Sequence, residues 1–220
     1  MKKVTTLLFT ILICTNLPAQ QKGDTVRLWT IYPGYVITLE NDTIHGFIKL
    51  NNYIDNQRKA LFYNNPDDEE YAVRYKPKDI KAYKVGPRYY ESFKFWPETA
   101  ARGVHFFLRL IEGPVTYYKW YYESPEDSKK RIVVDEEKQK ITKIDLSFSE
   151  EKLYTESIAI KNGGEPEKLS TLNFKKTMSK YLEDYPELSA KVAGKQEGYR
   201  AWDIEKIIRE YNEWYIKNHR

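Results

Sequence analysis

Thiol chemistry is nearly missing from this sequence: its single cysteine, Cys14, lies inside an N-terminal apolar stretch, and no cysteine follows it. Disulfide staples, thiolate zinc sites and a cysteine nucleophile are thereby excluded downstream. Histidine is scarce as well, with only His45, His105 and His219. None of them belongs to a His-Glu-x-x-His motif or stands beside a serine or carboxylate in a recognisable pattern, and Gly-x-Ser-x-Gly, phosphate-loop and EF-hand motifs are missing too. A histidine-centred metal site therefore has no footing, and no cofactor is implied. Excess charge of one sign is also absent: 36 Lys and Arg against 32 Asp and Glu argue against the basic face that nucleic-acid binding requires.

Long apolar runs are confined to the N-terminus, where Lys2 and Lys3 precede the mainly apolar Val4–Cys14 and Pro18-Ala19-Gln20 follows. Crossing a hydrocarbon core takes about 20 apolar residues. The stretch reads instead as an export signal over residues 1–20, with cleavage near Ala19 or Gln20. A lipid anchor on Cys14 is disfavoured by Ile13, which occupies the place where acylation requires a small residue. Loss of Lys2 and Lys3 with the signal lowers the basic count from 36 to 34 against 32 acidic residues. The expected mature protein is thiol-free, near-neutral and without a transmembrane anchor, in the periplasm, associated with the outer membrane, or extracellular.

Aromatic residues are abundant, at 15% with 19 Tyr, and tyrosine suits half-buried strand positions. From Val26 to about Ile160 the text is strand-like, and after Lys168 the period becomes helical. The expected fold is α+β: an antiparallel β-rich body over 21–165, with barrel-like or sandwich closure open, followed by a helical segment over 166–220 packed on it. Strands are predicted at 59–63, 71–75, 81–85, 89–96, 131–135, 140–148 and 153–160. The acidic turn Asp67-Asp68-Glu69-Glu70 lacks the alternating spacing of a calcium loop and reads as a solvated turn.

Two hairpins stand out. With Asn41-Asp42 as a two-residue turn, Leu39 faces Ile44, Ile37 faces Gly46 and Tyr35 faces Ile48, giving one apolar face. Across Glu112-Gly113-Pro114, a three-residue loop sets Leu108 opposite Tyr118, Phe106 opposite Trp120 and Val104 opposite Tyr122. A two-residue loop would set Lys119 against Leu108 in the core and is disfavoured on that ground. In the tail, Phe174, Met178 and Leu182 recur at helical spacing, and Asp184-Tyr185-Pro186-Glu187 resembles a capping box for a helix closed by Gly194. Ile204, Ile207, Ile208, Tyr211, Trp214 and Tyr215 share one face of the last helix.

The predicted register turns Tyr118, Trp120 and Tyr122 inward. It leaves His105, Arg109, Tyr117 and Tyr121 outward as the candidate ligand-binding set, with Arg109 over Tyr117 as a cation–π pair. A two-carboxylate glycan hydrolase needs no histidine and stays open, although its acids cannot be picked among 32.

The segments Gly34–Gly46, Tyr75–Ile80, Ala82–Gly86, the Gly113 hairpin and Ile207–Asn212, in this order, resemble a family of exported envelope proteins of Bacteroidota whose activity is not characterised. The resemblance implies location and architecture, and some relatives carry a similar segment ahead of an outer-membrane β-barrel. It transfers no catalytic residue. The functional expectation is a non-enzymatic envelope binding or assembly protein whose partner is an outer-membrane or other envelope protein or a cell-surface glycan. The alternatives are a glycan hydrolase and a structural periplasmic partner of an outer-membrane protein.

Overall fold

The computed structural model describes residues 27–67, 71–95, 103–123, 132–135, 140–144 and 153–219; the export segment, its cleavage site and Asp68–Glu70 lie outside them. The strands are β1 (Thr30–Thr38), β2 (Thr43–Leu50), β3 (Ala60–Tyr63), β4 (Val73–Tyr75), β5 (Ile80–Val85) and β6 (Arg88–Phe95). They continue with β7 (Gly103–Ile111), β8 (Val115–Tyr122), β9 (Ile132–Asp135), β10 (Lys140–Ile144), β11 (Tyr154–Lys161) and β12 (Glu167–Lys168). The helices are α1 (Tyr53–Arg58), α2 (Phe174–Tyr181), α3 (Pro186–Ala193) and α4 (Ile204–Asn218). Ten strands form one sheet in the order β12-β11-β8-β7-β6-β5-β1-β2-β3-β4, while β9 and β10 pair separately. Every pairing is antiparallel. The architecture is the α+β one expected, but the sheet does not close into a barrel.

It does curl. The four residues between β4 and β5 form a closed turn, with Asp79 N–H donating to the Lys76 carbonyl at 2.9 Å and Lys76 N–H to Asp79 Oδ2 at 2.8 Å. In the sheet order, β1, β2 and β3 separate β4 from β5. On a flat sheet that gap is about 19 Å at about 4.8 Å per strand, too far for a chain that folds back on itself. The strands therefore bend around a core of Val36, Ile48, Leu50, Phe62, Ile80, Tyr83, Val85, Tyr90, Phe106 and Leu108. A second core on the same inner face joins Ile111, Val115, Tyr117 and Ala159 of the sheet to Phe174, Met178, Leu188, Ile207, Ile208 and Tyr211 of the helices. Leu110 touches both cores.

Both hairpin registers differ from expectation. In the first, Val36 faces Ile44, Ile37 faces Thr43 and Tyr35 faces His45. Leu39–Asp42 forms the loop: the Thr38 hydroxyl accepts from the N–H groups of Glu40 and Asp42, and Thr38 N–H donates to the Asp42 carbonyl at 2.9 Å. Asn41 takes a positive φ of 75°, which Asn tolerates. The side-chain cap on a longer loop turns Val36 inward in place of Ile37 and leaves Leu39 exposed.

In the second hairpin, Leu108 does face Lys119, Arg109 faces Tyr118, and a bulge falls between Arg109 and Ile111. Lys119 is accommodated by lying along the apolar surface and placing its ammonium 2.9 Å from Glu205 of α4. In the tail, Tyr185 rather than Asp184 caps α3 and gives no side-chain bond. Asp184 instead accepts from Lys161 at 2.7 Å and from the Tyr211 hydroxyl at 2.6 Å.

Helix α1 was not anticipated; six residues are too few to show a period. Its signal is local: Asn52 Oδ1 accepts from Asp55 N–H at 2.8 Å, and Asn52 Nδ2 donates to Asp55 Oδ2 at 2.9 Å. The helix matters because of how β8 is bonded. Strand β8 pairs with β11 from Val115 to Tyr122, but with β7 only from Tyr117 to Lys119. Its two remaining β7-side backbone sites are taken by carboxamides. Gln57 of α1 donates to the Tyr121 carbonyl at 2.8 Å and accepts Tyr121 N–H at 2.6 Å. Asn212 of α4 donates to the Val115 carbonyl at 2.8 Å and accepts Val115 N–H at 2.7 Å. Gly113 permits the second pair, since a Cβ there would lie 2.5 Å from Asn212 Nδ2.

Gln57→Leu and Asn212→Leu each leave one buried backbone donor and acceptor unpaired, at about 1–3 kcal/mol per unsatisfied group. Each is expected to lower the unfolding free energy by roughly 2–4 kcal/mol, and the double variant by about the sum because the sites are far apart, measured by denaturant titration. A second expectation concerns Asp184. Burial raises its pKa, but the bonds from Lys161 and Tyr211 and the Lys161 charge outweigh this and hold the carboxyl below its usual range. A lowered folded value means stabilisation present above about pH 4 and lost as pH falls through the folded value. Asp184→Asn should flatten the acid limb of a stability-versus-pH curve.

Candidate functional site

The inner face of the sheet is occupied by helices and core, so an accessible site must be sought on the outer face, where register alone decides which side chains meet. Tyr35 of β1 lies opposite His45 of β2 and Lys84 of β5. Lys84 lies opposite Tyr89 of β6, Tyr89 opposite Arg109 of β7, and Arg109 opposite Tyr118 of β8. His45, Tyr35, Lys84, Tyr89, Arg109 and Tyr118 thus form one row at right angles to the strands. Cationic or imidazole groups alternate with phenols over five inter-strand steps, about 24 Å at about 4.8 Å each.

The row changes character along its length. At the β8 end, Tyr118 is buried and donates to Glu91 Oε2 at 2.8 Å. Arg109 Nη1 lies 3.5 Å from Glu91, its Nη2 2.9 Å from Glu112, and its Cζ 3.8 Å above the Tyr89 ring. Two carboxylates therefore balance this guanidinium. Burial raises the Tyr89 pKa, and the Arg109 charge opposes the rise. At the other end His45 and Lys84 are exposed, and Tyr35 is half-buried with its ring 5.7 Å from that of His45. Lys84 has no carboxylate partner among the described residues.

Around that open end runs a shallow groove of about 630 Å³, lined by Pro33, Tyr35, His45, Phe47, Asn64 and Lys84 and by the backbone at Gly34, Gly46 and Gly86. Gly34 and Gly46 keep the groove floor close to the core: a Cβ on Gly34 would lie 2.2 Å from the Lys84 carbonyl oxygen, and one on Gly46 2.4 Å from the Phe62 ring. The lining offers an ammonium, an imidazole, an amide, a phenol and a proline ring, and among the described residues it contains no carboxylate. Such a surface can hold a ligand rich in acceptor oxygens. Its described residues include no acid pair for two-carboxylate hydrolysis.

Beside the row, the outer face carries a closed aromatic cluster. Phe107 is fully buried, stacked on Phe93 at 4.2 Å and in contact with Phe95 and Trp120. Trp120 and Tyr118 are core residues as expected, but they pack with Phe107 and Ile158 rather than with Leu108 and Phe106.

The structure does not bring the four sequence-predicted site residues together. His105 points outward but lies against Trp120, ring to ring at 5.0 Å. Arg109 points outward and covers Tyr89 instead of Tyr117. Tyr117 points inward and is fully buried, its hydroxyl 2.8 Å from Ser157 Oγ; burial pushes its pKa up to about 12. Tyr121 points inward and stacks on Tyr53 at 4.0 Å. The bulged register separates the pairs, since it places Tyr117 and Tyr121 on the face opposite Arg109.

Sequence reasoning missed Tyr35, Lys84, Tyr89 and Asn64. The Gly86-Pro87 punctuation places Lys84 opposite Tyr89 across a two-residue turn, a usable local signal. The β1–β5 and β6–β7 pairings that complete the row are long-range. Among the described residues no group of three or more His, Cys, Asp or Glu side chains is placed to hold a metal ion, and no helix is long and apolar enough to cross a membrane. No family model, curated protein or solved structure matches the chain.

The buried phenols set an alkaline limit. Burial raises the pKa of Tyr83, Tyr90, Tyr118 and Tyr121 above the free value. Their stabilisation is complete below about pH 10 and lost as pH rises through the raised folded values. In a spectrophotometric titration, tyrosinate from this set should appear only together with loss of the folded circular-dichroism signal.

Proposed function

We propose that this chain is an exported, non-enzymatic binding protein of the cell envelope that engages its ligand on the outer face of the sheet, opposite the helices. The observation that carries the reading is the groove at Tyr35, His45, Asn64 and Lys84, whose side chains supply hydrogen-bond donors and positive charge with no carboxylate among the described lining residues. His45 has the Tyr35 ring as its neighbour, an arrangement suited to holding a ligand and not to activating a nucleophile. The Lys2–Lys3 and Val4–Cys14 pattern supports export, and the resemblance to exported Bacteroidota proteins points the same way. A purely structural role for the C-terminal helix is less favoured, because Ile204, Ile207, Ile208 and Tyr211 are buried within the chain itself.

Fractionation of cells producing the full chain tests both halves of this reading. The protein is expected outside the cytoplasm with a mass-spectrometric N-terminus near residue 20 or 21. The purified mature form is expected to be retained on immobilised envelope polysaccharide. A cytoplasmic protein with an intact Met1 would overturn the export half, and passage through every envelope matrix would overturn the binding half.

A further inference from the structure

We infer that the groove at the open end of the cross-strand row binds an acidic, carboxylate-bearing oligosaccharide that lies across the strands. The inference rests on the envelope-binding reading above and adds the chemical class of the ligand.

Charge comes first. Of the two full cations in the row, Arg109 is committed to Glu91 and Glu112, while Lys84 is exposed and has no carboxylate partner among the described residues. A groove wall with one exposed ammonium and no acidic residue among its described lining favours an anion, and Lys84 serves it as a point charge reachable from several directions. The remaining donors match the neutral part of a sugar. Asn64 and the Tyr35 hydroxyl offer bonds to ring and hydroxyl oxygens, and Pro33, Phe47 and the Tyr35 ring provide apolar surface for the C–H face of a pyranose.

Shape decides between a chain and a small ion. The groove is open and shallow, without the inward-facing ring of donors that would enclose a free phosphate. His45, Tyr35 and Lys84 stand on three successive strands, so the outer two residues are about 9.6 Å apart along the row at two strand spacings. A ligand that meets the His45 imidazole, the Tyr35 ring and the Lys84 ammonium in succession must be extended. An oligosaccharide with carboxylates on successive sugars has that periodicity of apolar faces and negative charge. From Tyr89 onward the row is closed, its ring covered by Arg109 and Arg109 held in the Glu91–Tyr118 network, which places the accessible subsites between His45 and Lys84.

The test uses the purified mature protein and two probe pairs: oligogalacturonate and oligomannuronate, each against its methyl-esterified form, with binding measured by calorimetry. At least one acid form is expected to bind, with esterification weakening it roughly tenfold or more, the loss expected for one charge-assisted hydrogen bond. Lys84→Gln, an exposed position where folding should be unaffected, is expected to weaken the acid form by a similar factor and leave the ester unchanged. Tyr35→Ala should weaken both, and Lys175→Gln on α2 should weaken neither. Equal binding of acid and ester, full binding by Lys84→Gln, competition by inorganic phosphate at equal concentration, or no binding of either acid form would each overturn the inference. If the acid forms fail while retention on envelope polysaccharide persists, only the ligand class falls; if retention is absent as well, the envelope-binding reading falls with it.

Discussion

The structure depends on how the unpaired backbone of β8 is satisfied. A strand inside a sheet must bond on both sides, because an unpaired buried N–H or C=O costs about 1–3 kcal/mol. Strand β8 meets β11 along its full length but β7 only from Tyr117 to Lys119. On one side the pairing shifts at a bulge near Leu110 and ends at Ile111 opposite Tyr117, and on the other it stops at Leu108 opposite Lys119. Gln57 and Asn212 fill the two gaps, each carboxamide presenting the donor and acceptor that a neighbouring strand would have supplied. Because they belong to α1 and α4, the same bonds that complete the sheet fix both helices on its inner face.

That arrangement determines what the outer face can do. With α1 beside Tyr83, Tyr90 and Tyr121 and α4 over Tyr117 and Val115, the inner face is filled by core and polar bonds. Surface for recognition is left on the other side, where the strands set side chains in rows. One end of the row from His45 to Tyr118 is neutralised by its own carboxylates, and the other is open and positive. Side chains that pack the fold and side chains that remain available are thus separated by strand parity. This is why a one-residue change of register moves a residue from one role to the other.

The same dependence explains what could be read from the sequence. Most strand positions were legible to within a residue or two, because alternation and Gly, Pro and Asn punctuation are local, but the first five residues of β1 and the two-residue β12 were not. The last helix was legible because its apolar stripe is long. Pairing was not. The Thr38 hydroxyl lengthens the first loop beyond the Asn41-Asp42 turn, and Lys119 enters an apolar neighbourhood because Glu205, distant in sequence, waits at its exit. The rule that excludes lysine from a core has no access to that partner. Helix α1 escaped for a related reason: its value lies in Gln57 meeting Tyr121, a contact that no local pattern announces. The candidate site required the β1–β5 and β6–β7 pairings as well as the correct hairpin registers, so of the residues chosen from the sequence only Arg109 belongs to the row.

The most direct test of the β8 account is native-state hydrogen exchange at the backbone amides of Val115 and Tyr121. These N–H groups have no β7 carbonyl to bond, and the account assigns them to Asn212 Oδ1 and Gln57 Oε1. They should exchange as slowly as Tyr117 and Lys119 in the paired stretch, and Gln57→Leu should release Tyr121 while Val115 stays protected. Fast exchange at both amides in the unaltered protein, with Tyr117 and Lys119 protected, would contradict it.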